Sequence, residues 1–160
     1  MILIKRAEQN QVKGIAEITS QCFSGLKDLS MARQWTNCNF QAYPRMQYFV
    51  AQEGDKILGY ILWKEKGGFR KQAVIELEQI AVDLKYRGQG IGTKIITESL
   101  IKIKDYLKIR GASLKLIEVT TGTTNQAQKL YQKTLGAKVE TVIKDLFSGD
   151  EVIMIARFKK

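Results

Sequence analysis

One stretch constrains this chain more than any other: Val82-Asp83-Leu84-Lys85-Tyr86-Arg87-Gly88-Gln89-Gly90-Ile91-Gly92. Ala73–Val82, at its upstream end, reads as a strand. Beyond it, Ile96, Leu100, Ile103 and Leu107 recur at helical spacing, which predicts a helix running to about Arg110. Three glycines in five residues let the backbone take positive φ and approach a ligand closely. The first N–H groups of the helix lack partners and sit at the positive end of its dipole. Such a turn suits an anion, phosphate above all, and Lys85 and Arg87 add charge beside it. Two phosphate-loop patterns do not fit. Gly92-Thr93-Lys94 does not complete G-x-x-x-x-G-K-[ST], and Thr93 stands where the dinucleotide fingerprint needs its third glycine.

Charge agrees with an anionic partner. The 160 residues carry a net charge of +10. Residues 1–80 hold 11 basic and 8 acidic residues, and residues 81–160 hold 15 and 8, so the excess lies in the half with the glycine turn. The composition also excludes chemistry. There is no histidine, hence no His-based triad and no His metal site, and the two cysteines, Cys22 and Cys38, are too few for structural zinc. No metal is expected. No apolar run approaches the roughly 20 residues of a membrane span, and the N-terminus lacks the order of a signal peptide. We expect a cytoplasmic protein with reduced cysteines and no membrane partner.

The length suits one domain, 1–160, without internal repeats or linkers. Residues 2–6 read as a strand, and Val12, Ile15, Ala16, Thr19 and Cys22 as the buried stripe of a helix. An irregular second helix lies within 26–43, before Pro44. Tyr48–Ala51 and Ile57–Glu65 flank a turn and form a hairpin. After the glycine-turn helix, Gly111 marks a stop, and Leu114–Val119 is a strand. Asn125–Thr134 is a short helix with Thr123 and Gln126 as a capping box and Gly136 as its end. Val139–Lys144 and Glu151–Phe158 close as a hairpin. The order β-α-α-β-β-β-α-β-α-β-β predicts an α/β (α+β) fold. Its centre is a mixed, mostly antiparallel sheet of about seven strands, with helices on both faces.

Arg87-Gly88-Gln89-Gly90-Ile91-Gly92 matches the [QR]-x-x-G-x-[GA] motif of the GNAT acetyltransferases. Leu77–Val82 resembles the strand that precedes that motif in the family. Asn125-Gln126-Ala127-x-x-Leu130-Tyr131, then Leu135-Gly136-Ala137, resembles the family's second motif, with the spacing shifted by a residue and Ala137 where an aromatic is common. The resemblance is specific over residues 73–144 and implies acetyl-CoA as acyl donor. It implies that amides of the Arg87–Gly92 loop hold the pyrophosphate. It also implies a bulge in the 73–82 strand and pantetheine pairing with backbone near Ile80–Val82. The cofactor residues expected are Ile80, Ala81, Val82, Arg87, Gly88, Gln89, Gly90, Ile91, Gly92, Thr93 and Asn125, the last equally explained as a helix cap.

Acetyl transfer to an amine needs a base, an oxyanion donor and a proton for the leaving thiolate. Without histidine a carboxylate, acting directly or through water, is the natural base. Glu76 and Glu78 lie two apart, on one face of a regular strand, near where the family often places its base. They could instead hold a cationic acceptor, such as a diamine or an aminosugar. The resemblance makes Tyr131 the general acid. Trp35, Tyr43 and Tyr48 are candidates for an acceptor pocket. The expected reaction is direct attack by a primary amine, of a small molecule or a protein, through a tetrahedral intermediate. Two rivals stand beside it. One is a basic nucleic-acid-binding domain, disfavoured because basic residues and aromatics do not interleave. The other is a non-catalytic acyl-CoA sensor of the same fold. A homodimer is kept as a partner state.

Overall fold

The hydrophobic periods resolve into seven strands and four α-helices in a computed structural model, which describes residues 1–159. In chain order they are β1 (Leu3–Arg6), α1 (Val12–Cys22), α2 (Leu29–Gln41), β2 (Met46–Glu53), β3 (Lys56–Lys66) and β4 (Gln72–Val82). Then come α3 (Ile91–Ile109), β5 (Ser113–Gly122), α4 (Ala127–Leu135), β6 (Lys138–Ile143) and β7 (Glu151–Arg157). The strands form one sheet in the order β1-β2-β3-β4-β5-β7-β6. β1 pairs antiparallel with β2, and β7 pairs antiparallel with both β5 and β6. β4 and β5 pair in parallel, and α3 supplies the crossover that a parallel pair requires.

The chain divides into two compact units. The first comprises Met1–Trp63 and Gln79–Leu100, the second Lys64–Glu78 and Ile101–Lys160. In the first, the stripe read from α1 is buried: Ile15 and Ile18 pack with Tyr48, Tyr60, Leu62 and Ala81. Each of Ile15, Ile18 and Leu62 contributes roughly 1.5–3 kcal/mol by leaving water. The irregular region before α2 is a short 3-10 turn at Ser24–Leu26, after which the Asp28 carboxylate caps α2 by accepting from the Met31 N–H at 2.9 Å. A polar chain crosses this core. The Thr19 hydroxyl donates to the Ile15 carbonyl, lies 2.7 Å from the Tyr60 hydroxyl, and Tyr60 reaches Gln79 Oε1 at 3.3 Å. Burial pushes the Tyr60 phenol well above its ordinary range.

In the second unit, Ile103 and Leu107 of α3 are buried, as are Leu114, Ile117 and Val119 of β5 and Val152, Met154 and Ala156 of β7. Gly111 stops α3 with φ +75°, and Ala112 N–H returns to the Leu107 carbonyl at 2.8 Å. Gly136 ends α4 in the left-handed region at φ +67°, the conformation glycine adopts without penalty. The expected capping box at α4 does not form. Gln126 makes no side-chain cap, and Asn125 Oδ1 instead accepts from the Ala127 N–H at 2.9 Å. This turn satisfies one orphan donor, the Ala127 N–H, while the Thr123 N–H goes to the Asp150 carbonyl.

Candidate active site

The glycine turn is built as the sequence implies. Asp83 anchors its entry: its N–H donates to the Leu58 carbonyl, and its carboxylate accepts from the Lys85 N–H, both at 2.9 Å. Gly88 and Gly90 both sit at φ +76°. A Cβ built on either would meet no heavy atom within 4 Å, so this side of the turn is open. The first helical bond of α3 runs from the Lys94 N–H to the Gly90 carbonyl. The N–H groups of Ile91, Gly92 and Thr93 therefore precede it and lack helical partners. Buried Ile91, Ile95 and Ile96 hold that end of the 19-residue helix in place. Arg87 is exposed but tethered: its Nε donates to the Val82 carbonyl, and a terminal nitrogen donates to Cys22 Sγ, both at 3.2 Å.

β4 changes face beside this turn. Tyr60, Leu62 and Lys64 are alternate residues of β3 and share one of its faces. Tyr60 meets Gln79 and packs with Ala81, whereas Lys64 meets Glu78 and Glu76. Adjacent residues of a regular strand cannot both meet one face of a neighbour, so β4 is bulged between Glu78 and Gln79. Burial alone hides this, because half-buried and buried positions alternate along the whole strand. A second irregularity lies between Ala73 and Val74, where the extra residue is Lys115 of β5. The parallel ladder then runs to Glu76↔Glu118. Just past the bulge, Gly59 backs Ala81 closely: a Cβ there would lie 2.7 Å from the Ala81 carbonyl oxygen.

The two carboxylates expected as bases share a face and are half-buried, at 12% and 20% side-chain exposure. Both are ion-paired. Lys64 Nζ lies 2.9 Å from Glu76 Oε2 and 2.8 Å from Glu78 Oε2, and Lys66 lies 3.6 Å from Glu76 Oε2. Lys66 also pairs with Glu118 at 2.9 Å. The carboxylates hold both ammoniums charged, which outweighs their desolvation, itself the largest single influence and a downward one. The pairs use Oε2 of Glu76 and of Glu78. Sequence reasoning missed the lysines, although Lys64-x-Lys66 opposite Glu76-x-Glu78 in a hairpin is a readable signal.

Tyr131 is buried on α4. Burial pushes its phenol up to about 12, so it stays protonated at neutral pH. Among the described residues its hydroxyl makes no hydrogen bond. Asn125 caps α4, as described. Of the pocket aromatics, Tyr48 belongs to the core, edge-on to Tyr60. Trp35 and Tyr43 are 40% and 44% exposed, and the Arg6 guanidinium lies 3.9 Å over the Tyr43 ring. Cys22 and Cys38 are both free. Among the described residues no cluster could hold a metal, and no helix is long and apolar enough to cross a membrane.

The architecture has many solved counterparts. An aminoglycoside 6'-N-acetyltransferase complexed with coenzyme A superposes with a TM-score of 0.76 at 15% identity, over 99% of this chain and 98% of its own. The ribosomal-protein-S18-alanine N-acetyltransferase of Escherichia coli gives 0.73 at 20% identity, over 100% and 96%. At such identities the likeness is one of fold. An uncharacterized N-acetyltransferase of Methanocaldococcus jannaschii is 30% identical over 101 residues, 61% of this chain and 41% of that protein. The chain spans about half the length of the curated relatives it matches. A sequence model of the acetyltransferase (GNAT) family matches residues 12–137, a stretch that takes in the open glycine turn, the bulged strand and Tyr131. With the sheet order and the helix-opening turn in place, this chain belongs to the acetyltransferase (GNAT) family.

Proposed function

We propose that this chain is an acetyl-CoA-dependent N-acetyltransferase acting on a primary amine, with residues 1–160 as its single acetyltransferase domain. The observation that carries the reading is the turn at Gly88 and Gly90. Both are left-handed, both are open where a Cβ would stand, and together they lead into unpaired N–H groups. A pyrophosphate suits such a cradle. The N–H groups of Ile91, Gly92 and Thr93 would hold it, with Arg87, Gly88, Gln89 and Gly90 forming the rim. Bound acetyl-CoA supplies an acetyl group activated as a thioester.

The chain's own residues supply the rest. The bulge after Glu78 frees backbone groups from regular pairing, which suits Ile80, Ala81 and Val82 to orient the pantetheine and polarise the acyl oxygen. The Val82 carbonyl is already engaged by Arg87, and polarising the acyl oxygen falls to N–H groups of this stretch. Tyr131 holds a proton at its phenol oxygen for the leaving thiol. Glu78 or Glu76 takes the proton of the attacking amine at Oε1, the oxygen outside the ion pairs. Their pairing with Lys64 speaks against a diamine acceptor, because the carboxylates that would hold its second ammonium already hold one. Both free cysteines suit a reducing cytoplasm.

The test is a panel of primary amines incubated with acetyl-CoA and read by thiol release, run beside Gly90→Asp. That substitution puts a Cβ and a negative charge on the rim. Release with at least one amine, and loss of coenzyme A binding in the folded variant, are expected. Silence across the panel together with unchanged coenzyme A affinity in Gly90→Asp would overturn the reading.

A further inference from the structure

The β3–β4 connection carries an arrangement that acyl transfer leaves unused. Gly67 and Gly68 turn the chain at φ +71° and +87°. Arg110 then fixes the loop. It holds the buried Glu65 carboxylate with two nitrogens, at 2.5 and 2.6 Å, and donates to the Arg70 carbonyl at 3.3 Å. Its guanidinium also lies 4.9 Å from the Phe69 ring centre. Within the loop, Arg70 Nε donates to the Gly67 carbonyl at 2.8 Å. The two terminal nitrogens of Arg70 have no partner among the described residues. An arginine tied at Nε presents the others as a pre-oriented fork for an oxyanion.

Arg70 lines an open depression of about 600 Å³ with Lys66, Gly67, Gln72, Val74 and Lys115. Lys115 is the extra residue of the β5 irregularity, since Ala73 and Val74 pair with Leu114 and Leu116 on either side of it. An inserted residue re-aims its side chain, and this one is anchored, its carbonyl accepting from the Phe158 N–H at 3.0 Å. Among the described residues the Lys115 ammonium makes no ion pair. Lys66 is a third cation, partly neutralised by Glu118. No acidic side chain lines the depression, in a unit whose Lys and Arg outnumber its Asp and Glu by 16 to 9.

We infer that this depression binds a multivalent oxyanion, the phosphate groups of a small phosphorylated molecule. Arg70 and Lys115 supply the charge, and Gln72 supplies an amide. The volume lies within the range of small-molecule sites and leaves room for an organic body beside the phosphates. None of these residues belongs to the Arg87–Thr93 turn, so this is a second anion site whose existence does not depend on the first.

Pyrophosphate titrated calorimetrically into the full chain, with coenzyme A already saturating, tests it. Saturable binding is expected, weakened at least tenfold by Lys115→Gln and by Arg70→Gln. Both side chains are exposed, so the fold should survive, and unchanged melting temperatures would verify this. Gly90→Asp should leave the pyrophosphate affinity intact. Absence of saturable binding, wild-type affinity in the two depression variants, or loss only in Gly90→Asp would each overturn the assignment.

Discussion

Gly59→Ala tests whether β4 is held where the site needs it. The new Cβ would lie 2.7 Å from the Ala81 carbonyl oxygen, 3.2 Å from Val82 Cα and 3.1 Å from Ile95 Cδ1. Two of those atoms are backbone, and Ile95 is fully buried, so no side chain can swing aside. Carbon contacts are comfortable at about 3.5–4.0 Å, so β3 or β4 must shift by roughly half an ångström or more. Overpacking of this kind costs about 1–3 kcal/mol. Loss of glycine's freedom in the unfolded chain returns about 0.4–1 kcal/mol. The net is a destabilisation of up to about 2.6 kcal/mol, which at roughly 2–4 °C per kcal/mol is measurable by melting and by the urea midpoint at constant m-value. Because the displaced atoms belong to Ala81 and Val82, coenzyme A affinity should fall as well. Gly14→Ala is the control. Its Cβ would press only on the tip of half-buried Ile57, at 2.9 Å, and it lies inside a helix. There alanine gains about 1 kcal/mol, and Ile57 can rotate away. The same substitution should therefore have opposite signs at the two sites. A Gly59→Ala protein as stable as wild type with full coenzyme A affinity would refute the reasoning, as would Gly14→Ala proving the more damaging.

Tyr131→Phe should lower turnover by about 10²–10⁴-fold with coenzyme A affinity little changed; wild-type turnover would return the residue to a packing role. The same variant has a stability signature. Burial favours the protonated phenol in the fold, so its contribution is intact below the unfolded value of about 10 and drains as pH rises towards about 12. Urea titrations across that window should show wild type losing stability that Tyr131→Phe retains. Glu78→Gln and Glu76→Gln should slow transfer while leaving coenzyme A binding alone, and full turnover in both and in the double variant would remove carboxylates from the mechanism. Arg110→Met strands the Glu65 carboxylate in the interior and should cost about 3–5 kcal/mol; adding Glu65→Met should restore most of it, and a double variant no better than the single would contradict this account.

Local order was the legible part. The stripe Ile96, Leu100, Ile103 and Leu107 is buried as its spacing predicts, and Gly111 and Gly136 end their helices at positive φ. The glycine turn was legible because the feature it creates, free N–H groups on an open loop, follows from a few adjacent residues. Contacts between distant residues were not. Cys22 reads as inert core on its helix, yet its sulfur accepts from Arg87, 65 residues away. The pairing of Lys64 and Lys66 with three glutamates depends on the register of three strands. The bulge was expected only through family resemblance, and its place at Glu78–Gln79 emerges from which side chains meet, since the alternation along β4 never falters.

That change of face makes β4 tolerant of one kind of variation and intolerant of another. Exchanging a side chain on either side of it alters one position. Removing a single residue between Glu78 and Ala81 would take out the extra residue and restore regular pairing with β3. Ala81 would keep its place in the core it shares with Tyr60, and the backbone groups that the bulge frees would return to the ladder. Here the strand's length, counted residue by residue, is as much a part of the site as the chemistry of any residue in it. A deletion there should leave the fold standing and abolish coenzyme A binding, where neighbouring substitutions are absorbed.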